Sequence, residues 1–197
     1  IIELLSIWKC VLNPMCLITL QKENYKQMQN QNYEQIVVIG KSLLDTSQCN
    51  QLISKHDTAN LDDVTQKTYR SVRVANMDIT DVPHLVDSLK FINEKHFKLD
   101  LNFNYVDCFF GRYDKGMHYN SLHMDCIAGD VQRKLSFSLL LNDNLQGGDF
   151  ITLTESTLDC HPGKLLIFPS FMPHKISVVE EGTRYAIFGW VYGPNFR

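Results

Sequence analysis

From residue 104 onward the chain is a succession of short β-rich runs, about 104–113, 117–124, 134–141, 149–154, 163–168, 174–180 and 183–192, punctuated by Gly, Asp and Pro. Helical patterns come before them. Asp45-Thr46-Ser47 can cap a helix running to about His56, with Leu52 and Ile53 on its apolar side. Thr80-Asp81 caps a second helix with Pro83 in its first turn. Val82, Leu85, Val86, Leu89 and Ile92 then repeat at the spacing of a face that packs on something flat. Ile36 to Ile39 and Tyr69 to Met77 read as two further strands. Helices first and then seven or eight strands predict an α+β fold, a double-stranded β-helix (jelly roll) with two N-terminal helices supporting one sheet.

Length and charge narrow the function. A chain of 197 residues is enough for one domain with a sizeable core. Charged residues make up 21% and nearly balance at net −3, which leaves no nucleic-acid footprint. The six cysteines form no C-x-x-C pair and no regular spacing, as expected of reduced thiols in a cytoplasmic protein. Residues 1–20 are apolar, but Glu3, Lys9, Asn13 and Pro14 interrupt them, so they read as neither a signal peptide nor a membrane anchor. Gln21 to Tyr33 has the polar composition of a solvated linker. Residues 1–33 are therefore expected to be an extension, with a native start at Met15 or Met28, and the domain to occupy 34–197.

The chemistry concentrates in His123-Met124-Asp125, followed by His174 and Arg184. Two imidazoles and one carboxylate are the ligand set that occupies one face of a mononuclear non-haem iron(II) site and leaves the other face open. On an extended strand, residues i and i+2 point to the same side, so His123 and Asp125 would grip one ion while Met124 faces away. A lone His-x-Asp arises often by chance; the ordered set with Pro173-His174-Lys175 and Arg184 carries the argument. Arg184 lies in the apolar run Thr183 to Phe188, where a buried guanidinium calls for an anion. A dicarboxylate co-substrate in a bidentate pair supplies one.

Alternation then places side chains. With Arg184 facing inward, Ala186, Phe188 and Trp190 share its pocket, and Tyr185, Ile187 and Val191 turn towards the helices. Likewise Leu135, Phe137, Leu139 and Leu141 pack under the helices while Ser136, Ser138 and Leu140 face the cavity. Tyr119 and Met117 either line the pocket mouth or belong to the core, and Trp190 is either a pocket wall or a core tryptophan. The remaining histidines, His118 and the Cys160-His161 step included, read as mainly structural.

The stretch from Arg112 to Asp125, with Leu135 to Asn142, Gly147-Gly148-Asp149-Phe150, Phe168-Pro169-Ser170, Pro173-His174 and Arg184-Tyr185, resembles the iron(II)- and 2-oxoglutarate-dependent dioxygenases of the prolyl-hydroxylase type, most closely the PKHD-type hydroxylases. The resemblance is strong over about 105–193 and general over 36–104. It implies Fe(2+) on His123, Asp125 and His174, and 2-oxoglutarate anchored by Arg184, with Tyr113 and Ser136 as co-substrate contacts. For Tyr113 the alternative is strand-end packing, and for Ser136 a hydroxyl bonded to local backbone. It further implies O2 as oxidant, ascorbate as reductant, and hydroxylation of a protein or peptide residue, proline above all. A free amino acid or other small metabolite is the second substrate class. A cupin-like module that holds a metal without turnover is the third reading. Asp125 excludes the halogenating relatives, which carry a small residue there.

Overall fold

Asp45 opens the first helix in the way its spacing predicts. In the computed structural model of the chain, which describes residues 38–58, 60–66, 69–126, 131–153, 157–158 and 160–194, α1 spans Thr46–His56. Asp45 Oδ1 accepts from the Gln48 amide at 2.8 Å, and Gln48 Oε1 accepts from the Asp45 amide at 2.9 Å, a reciprocal capping box. The expected extension 1–33, with its proposed start sites, lies outside the described residues.

The second helix starts later than the sequence predicts. Asp78, not Thr80-Asp81, caps a short 3-10 turn at Ile79–Asp81, and α2 runs Leu85–Ile92. Two forces account for the shift. Val82 precedes Pro83 and is held extended (φ −106°, ψ 103°), so no helix can run through it. Asp81 is drawn instead to the C-terminal end of α1, where Lys55 Nζ lies at 2.6 Å and His56 Nε2 at 3.1 Å.

Twelve strands appear among the described residues: β1 (Val38–Ser42), β2 (Asp62–Asp63), β3 (Arg73–Asn76), β4 (Asn102–Tyr113), β5 (Tyr119–His123), β6 (Val131–Leu140), β7 (Gln146–Gly147), β8 (Phe150–Thr152), β9 (Lys164–Pro169), β10 (His174–Ile176), β11 (Val179–Glu181) and β12 (Arg184–Pro194). Seven form one sheet in the order β1-β9-β6-β12-β4-β3-β2, antiparallel throughout. The second layer is made of β5-β10-β8 and the pair β11-β7. This is the double-stranded β-helix, with both helices on one face of the larger sheet.

Burial follows the alternation read from the sequence. Leu135, Phe137, Leu139, Leu141, Ile187 and Val191 form one cluster with Cys49 and Leu52 of α1 and Leu85 and Leu89 of α2. Each large side chain buried there stabilises the fold by about 1.5–3 kcal/mol. The opposite faces of β6 and β12 are thereby left to line a cavity. One predicted run divides: 174–180 is two strands, because Ser177 turns aside to bond Asp149, donating its amide to the carbonyl at 3.0 Å. Asn142 fastens the far end of β6 to β12, accepting from the Tyr185 amide at 2.8 Å and donating to the Thr183 carbonyl at 2.7 Å.

Candidate metal centre and cavity

The facing strands β5 and β10 bring two histidines directly opposite each other, His174 with His123 as register partners. Asp125 lies just past the end of β5, so its placement comes from a loop contact and not from strand geometry: its amide donates to the Ser170 carbonyl at 2.8 Å. One ligand atom from each of His123, Asp125 and His174 falls within 4.8 Å of the others. Each imidazole is oriented from behind. His123 Nδ1 meets the Ser121 carbonyl at 2.9 Å and His174 Nδ1 meets the Met172 carbonyl at 3.0 Å. Both bonds require Nδ1 to carry the proton, which leaves both Nε2 lone pairs facing Asp125, at 3.7 and 3.6 Å. Rings brace them further: Tyr119 stacks on His123 at 3.6 Å and 7°, and Phe150 lies parallel to His174 at 5.1 Å and 6°. Burial and the neighbouring His174 push the His123 imidazole down to about 4, so it is neutral and ready to ligate at neutral pH.

Ser136 is placed differently from the expected role. Its hydroxyl donates to Asp125 Oδ2 at 2.8 Å and meets Ser170 Oγ at 2.9 Å. In the β6–β12 register it pairs with Trp190, six residues along β12 from Arg184, so its hydroxyl stands beside Asp125 and away from Arg184. The cause is register: the hydroxyl faces the cavity as alternation predicts, but at the metal end. Ser138, opposite Phe188, lines the cavity between the two ends.

The cavity holds about 420 Å³ and runs from the three ligands to Arg184. Arg184 is 4% exposed, and its Nε is buried with no hydrogen-bond partner. Tyr113, its cross-strand partner, is 4% exposed and has its ring centroid 5.4 Å from Arg184 Cζ. Burial lowers the arginine and raises the tyrosine from their ordinary ranges. Beneath the arginine, Gly148 has φ +68°, and a Cβ there would meet Arg184 Cδ at 3.0 Å. The Gly147-Gly148 step, read from sequence as a turn, is thus also the floor under the guanidinium.

Tyr119 and Trp190 line the cavity. Met117 does not: it closes a turn, donating its amide to the Asp114 carbonyl and accepting from the Val179 amide. Met124, expected to face away from the metal, contributes to the lining while remaining 47% exposed. Phe188 lines it as predicted, stacked on Phe109 at 5.7 Å, a residue with no distinguishing sequence signal. Ser170 was also missed as a site residue, although it stands beside the Phe168-Pro169 pair of a strand end. Among the described residues Cys49, Cys108 and Cys126 are free thiols, and no helix is long and apolar enough to cross a membrane.

The sequence profile described as the 2OG-Fe(II) oxygenase superfamily matches residues 108–192, which contain the three candidate ligands, Tyr113, Ser136 and Arg184. A PKHD-type hydroxylase of Crocosphaera subtropica is 30% identical over 105 residues, 49% of this chain and 47% of that protein; the alignment spans about half the relative's length. A PKHD-type hydroxylase of Synechococcus elongatus is 27% identical over 174 residues, 79% of this chain and 78% of its own. In three dimensions, a prolyl-4-hydroxylase of Pseudomonas putida superposes with a TM-score of 0.68 at 20% identity, covering 81% of this chain and 94% of the other. A Trichoplax adhaerens prolyl hydroxylase, solved with a hypoxia inducible factor oxygen degradation domain peptide fragment, has a TM-score of 0.63 at 20% identity, covering 88% and 92%.

Proposed function

We propose that the protein is a 2OG-Fe(II) oxygenase of the PKHD and prolyl-hydroxylase type, a reading supported by the profile match over residues 108–192 and by its relatives, and that it hydroxylates a protein or peptide residue, proline above all, using iron(II), 2-oxoglutarate and O2. The observation that carries the reading is the pairing of two chemically distinct ends on one cavity. Three convergent ligand atoms stand at one end, and a buried arginine whose Nε has no hydrogen-bond partner among the described residues stands at the other.

The residues present fit both groups. Two neutral imidazoles and a carboxylate on one side suit a divalent iron that must keep open positions. An arginine whose Nε is buried without a partner suits a remote carboxylate, since a dicarboxylate supplies the bidentate acceptor that the protein withholds. When bound, iron with 2-oxoglutarate supplies the oxidative chemistry, with the co-substrate decarboxylated to succinate. The chain supplies the rest. His123, Asp125 and His174 fix the metal's position, the Ser121 and Met172 carbonyls fix the rings, and Ser136 fixes the carboxylate. Arg184, with Tyr113 beside it, sets the depth at which a dicarboxylate lies. Phe109, Phe188, Phe150 and Phe168 keep the space between dry, which protects a reactive centre from side reactions. Ascorbate belongs to this proposal as the reductant that returns oxidised iron to the ferrous state.

The test is anaerobic purification with iron(II) and 2-oxoglutarate, followed by oxygen and a screen of succinate release against proline-containing peptides and free amino acids. Stimulation by peptides alone is the expected result. Stimulation by free amino acids alone would move the substrate to the small-metabolite class. Bound iron with no turnover on any addition would sink the enzymatic reading.

A further inference from the structure

Three guanidiniums line the cavity, Arg70, Arg133 and Arg184, against the single carboxylate of Asp125 among the described lining residues. Iron(II) and the 2-oxoglutarate dianion carry equal and opposite charges, so binding both leaves that positive excess unchanged. Arg184 is assigned to the co-substrate. Arg133 is already engaged by the protein: its guanidinium lies 3.6 Å from the Trp190 ring centroid, its Nε donates to the Tyr192 hydroxyl at 3.3 Å, and Nη2 approaches Asp107 Oδ2 at 4.0 Å. Arg70 is the exception. Its Nε is buried without a hydrogen-bond partner, although the guanidinium opens on the cavity. A buried N–H donor with no acceptor is unfavourable until one reaches it.

The backbone holds Arg70 in place. Its amide donates to the Gln66 carbonyl at 3.3 Å, and the next residue, Ser71, exchanges backbone bonds with His118 at 2.7 and 3.1 Å. Arg70 Cζ is 5.6 Å from the centroid of Tyr119, the same ring that stacks on His123. The guanidinium is therefore fixed within one aromatic neighbour of the metal ligands, on the β2–β3 side of the cavity and on a different element from Arg184.

We propose that Arg70 is a specificity-determining residue that binds a carboxylate on the substrate, so that the preferred acceptors carry a carboxylate beside the group to be oxidised. The proposal rests on the oxygenase reading above and adds the substrate's charge to it. The carboxylate is either an acidic side chain next to the target residue of a peptide or the α-carboxylate of a free amino acid. Both present the same planar acceptor to a guanidinium.

Two matched pairs separate these sources: N-acetyl-L-proline with N-acetyl-L-proline amide, and N-acetyl-Pro-Glu amide with N-acetyl-Pro-Gln amide. Their affinities are measured anaerobically by calorimetry on the full chain loaded with iron(II) and 2-oxoglutarate. The charged member of one pair should bind about 10–100-fold tighter than its neutral partner. Preference within the first pair marks an α-carboxylate, and within the second an acidic peptide. Arg70→Met should abolish the preference while leaving the neutral member and 2-oxoglutarate affinity unchanged, and Arg70→Lys should retain part of it. Arg70→Gln serves the same comparison if the methionine variant does not fold. Equal affinities within both wild-type pairs, absence of binding by all four compounds, or a preference that survives the loss of Arg70 would each overturn the proposal. Failure of the wild type to take up iron or 2-oxoglutarate would count against the oxygenase reading as well, and the loading step reports it separately.

Discussion

The two ends of the cavity are finished in opposite ways. At the metal end every ligand has a protein partner behind it: a carbonyl on each imidazole and the Ser136 hydroxyl on Asp125, with Ser170 behind that. At the other end Arg184 is buried to 4% exposure with its Nε unpartnered among the described residues; the Tyr113 ring and Gly148 lie against it, and Asp149 and Cys160 act on it electrostatically. The difference teaches what each end has to do. A metal site gains affinity when its ligands are already aimed, so the protein fills their remaining hydrogen-bonding capacity. In the proposed function Arg184 is a co-substrate anchor, which gains affinity when its hydrogen-bonding capacity is left for the ligand, because pairing it internally would remove the reason to bind.

The largest effect should come from the ligands themselves. Alanine at His123, Asp125 or His174 removes one of only three donors, and ferrous affinity should fall beyond the ~100-fold typical of losing an outer-sphere partner. Circular dichroism should show the fold intact, because the α1/α2 layer and not the ion holds the core. An alanine that leaves iron content and turnover near wild type would remove that residue from the set.

Arg184→Ala should strike the opposite end alone. One half of a buried charge-assisted pair is worth about 3–5 kcal/mol, so 2-oxoglutarate affinity should fall by roughly two to four orders of magnitude with ferrous binding preserved. Arg184→Lys should recover part, keeping the charge without the two-pronged geometry. The metal-to-ligand absorption band of the anaerobic ternary complex measures both. If iron binding were lost together with the co-substrate, the two ends would not be independent.

Ser136→Ala sharpens the contrast, since the family resemblance assigns it to the co-substrate while its hydroxyl bonds Asp125. Seated on Asp125, its loss should lower iron affinity by about 10–100-fold and leave 2-oxoglutarate affinity of the iron-loaded protein close to wild type. The reverse pattern would return Ser136 to the co-substrate.

A smaller effect concerns pH in the metal-free protein. His123 is lowered from an ordinary 6.5 to about 4, first by burial and next by His174. Between these values the unfolded chain binds the proton that the folded one refuses. The His123 contribution is therefore fully present above about 6.5 and disappears as pH falls towards 4. The Tm of metal-free protein should decline by several degrees across that window, and His123→Gln should flatten the decline. An identical decline in the glutamine variant would assign it to other groups.

Local rules carried much of this molecule. The capping box of α1 lies within four residues, and period-two alternation correctly divided β6 and β12 between helix side and cavity side. Those readings worked because the physical cause, a side chain reaching its own backbone or a pleat turning residues about, acts within a few positions. They weakened wherever a partner came from elsewhere. Asp81 left its expected capping role for His56, 25 residues away, and the run 174–180 broke because Ser177 found Asp149, 28 residues away.

The sequence by itself determined the jelly roll and the placing of His123, Asp125, His174 and Arg184 on cavity-facing positions, since each follows from residue types and alternation at short spacing. Only the tertiary structure decided how those residues are used. The contact of Ser136 with Asp125 spans 11 residues and that with Ser170 spans 34. Register between strands sets such contacts, and a hydroxyl facing a cavity carries no mark in the sequence of which end it will reach. The same holds for Arg70, visible as an arginine in the chain, whose buried Nε and place beside Tyr119 exist only once the segment between β2 and β3 has bridged to His118 at the start of β5.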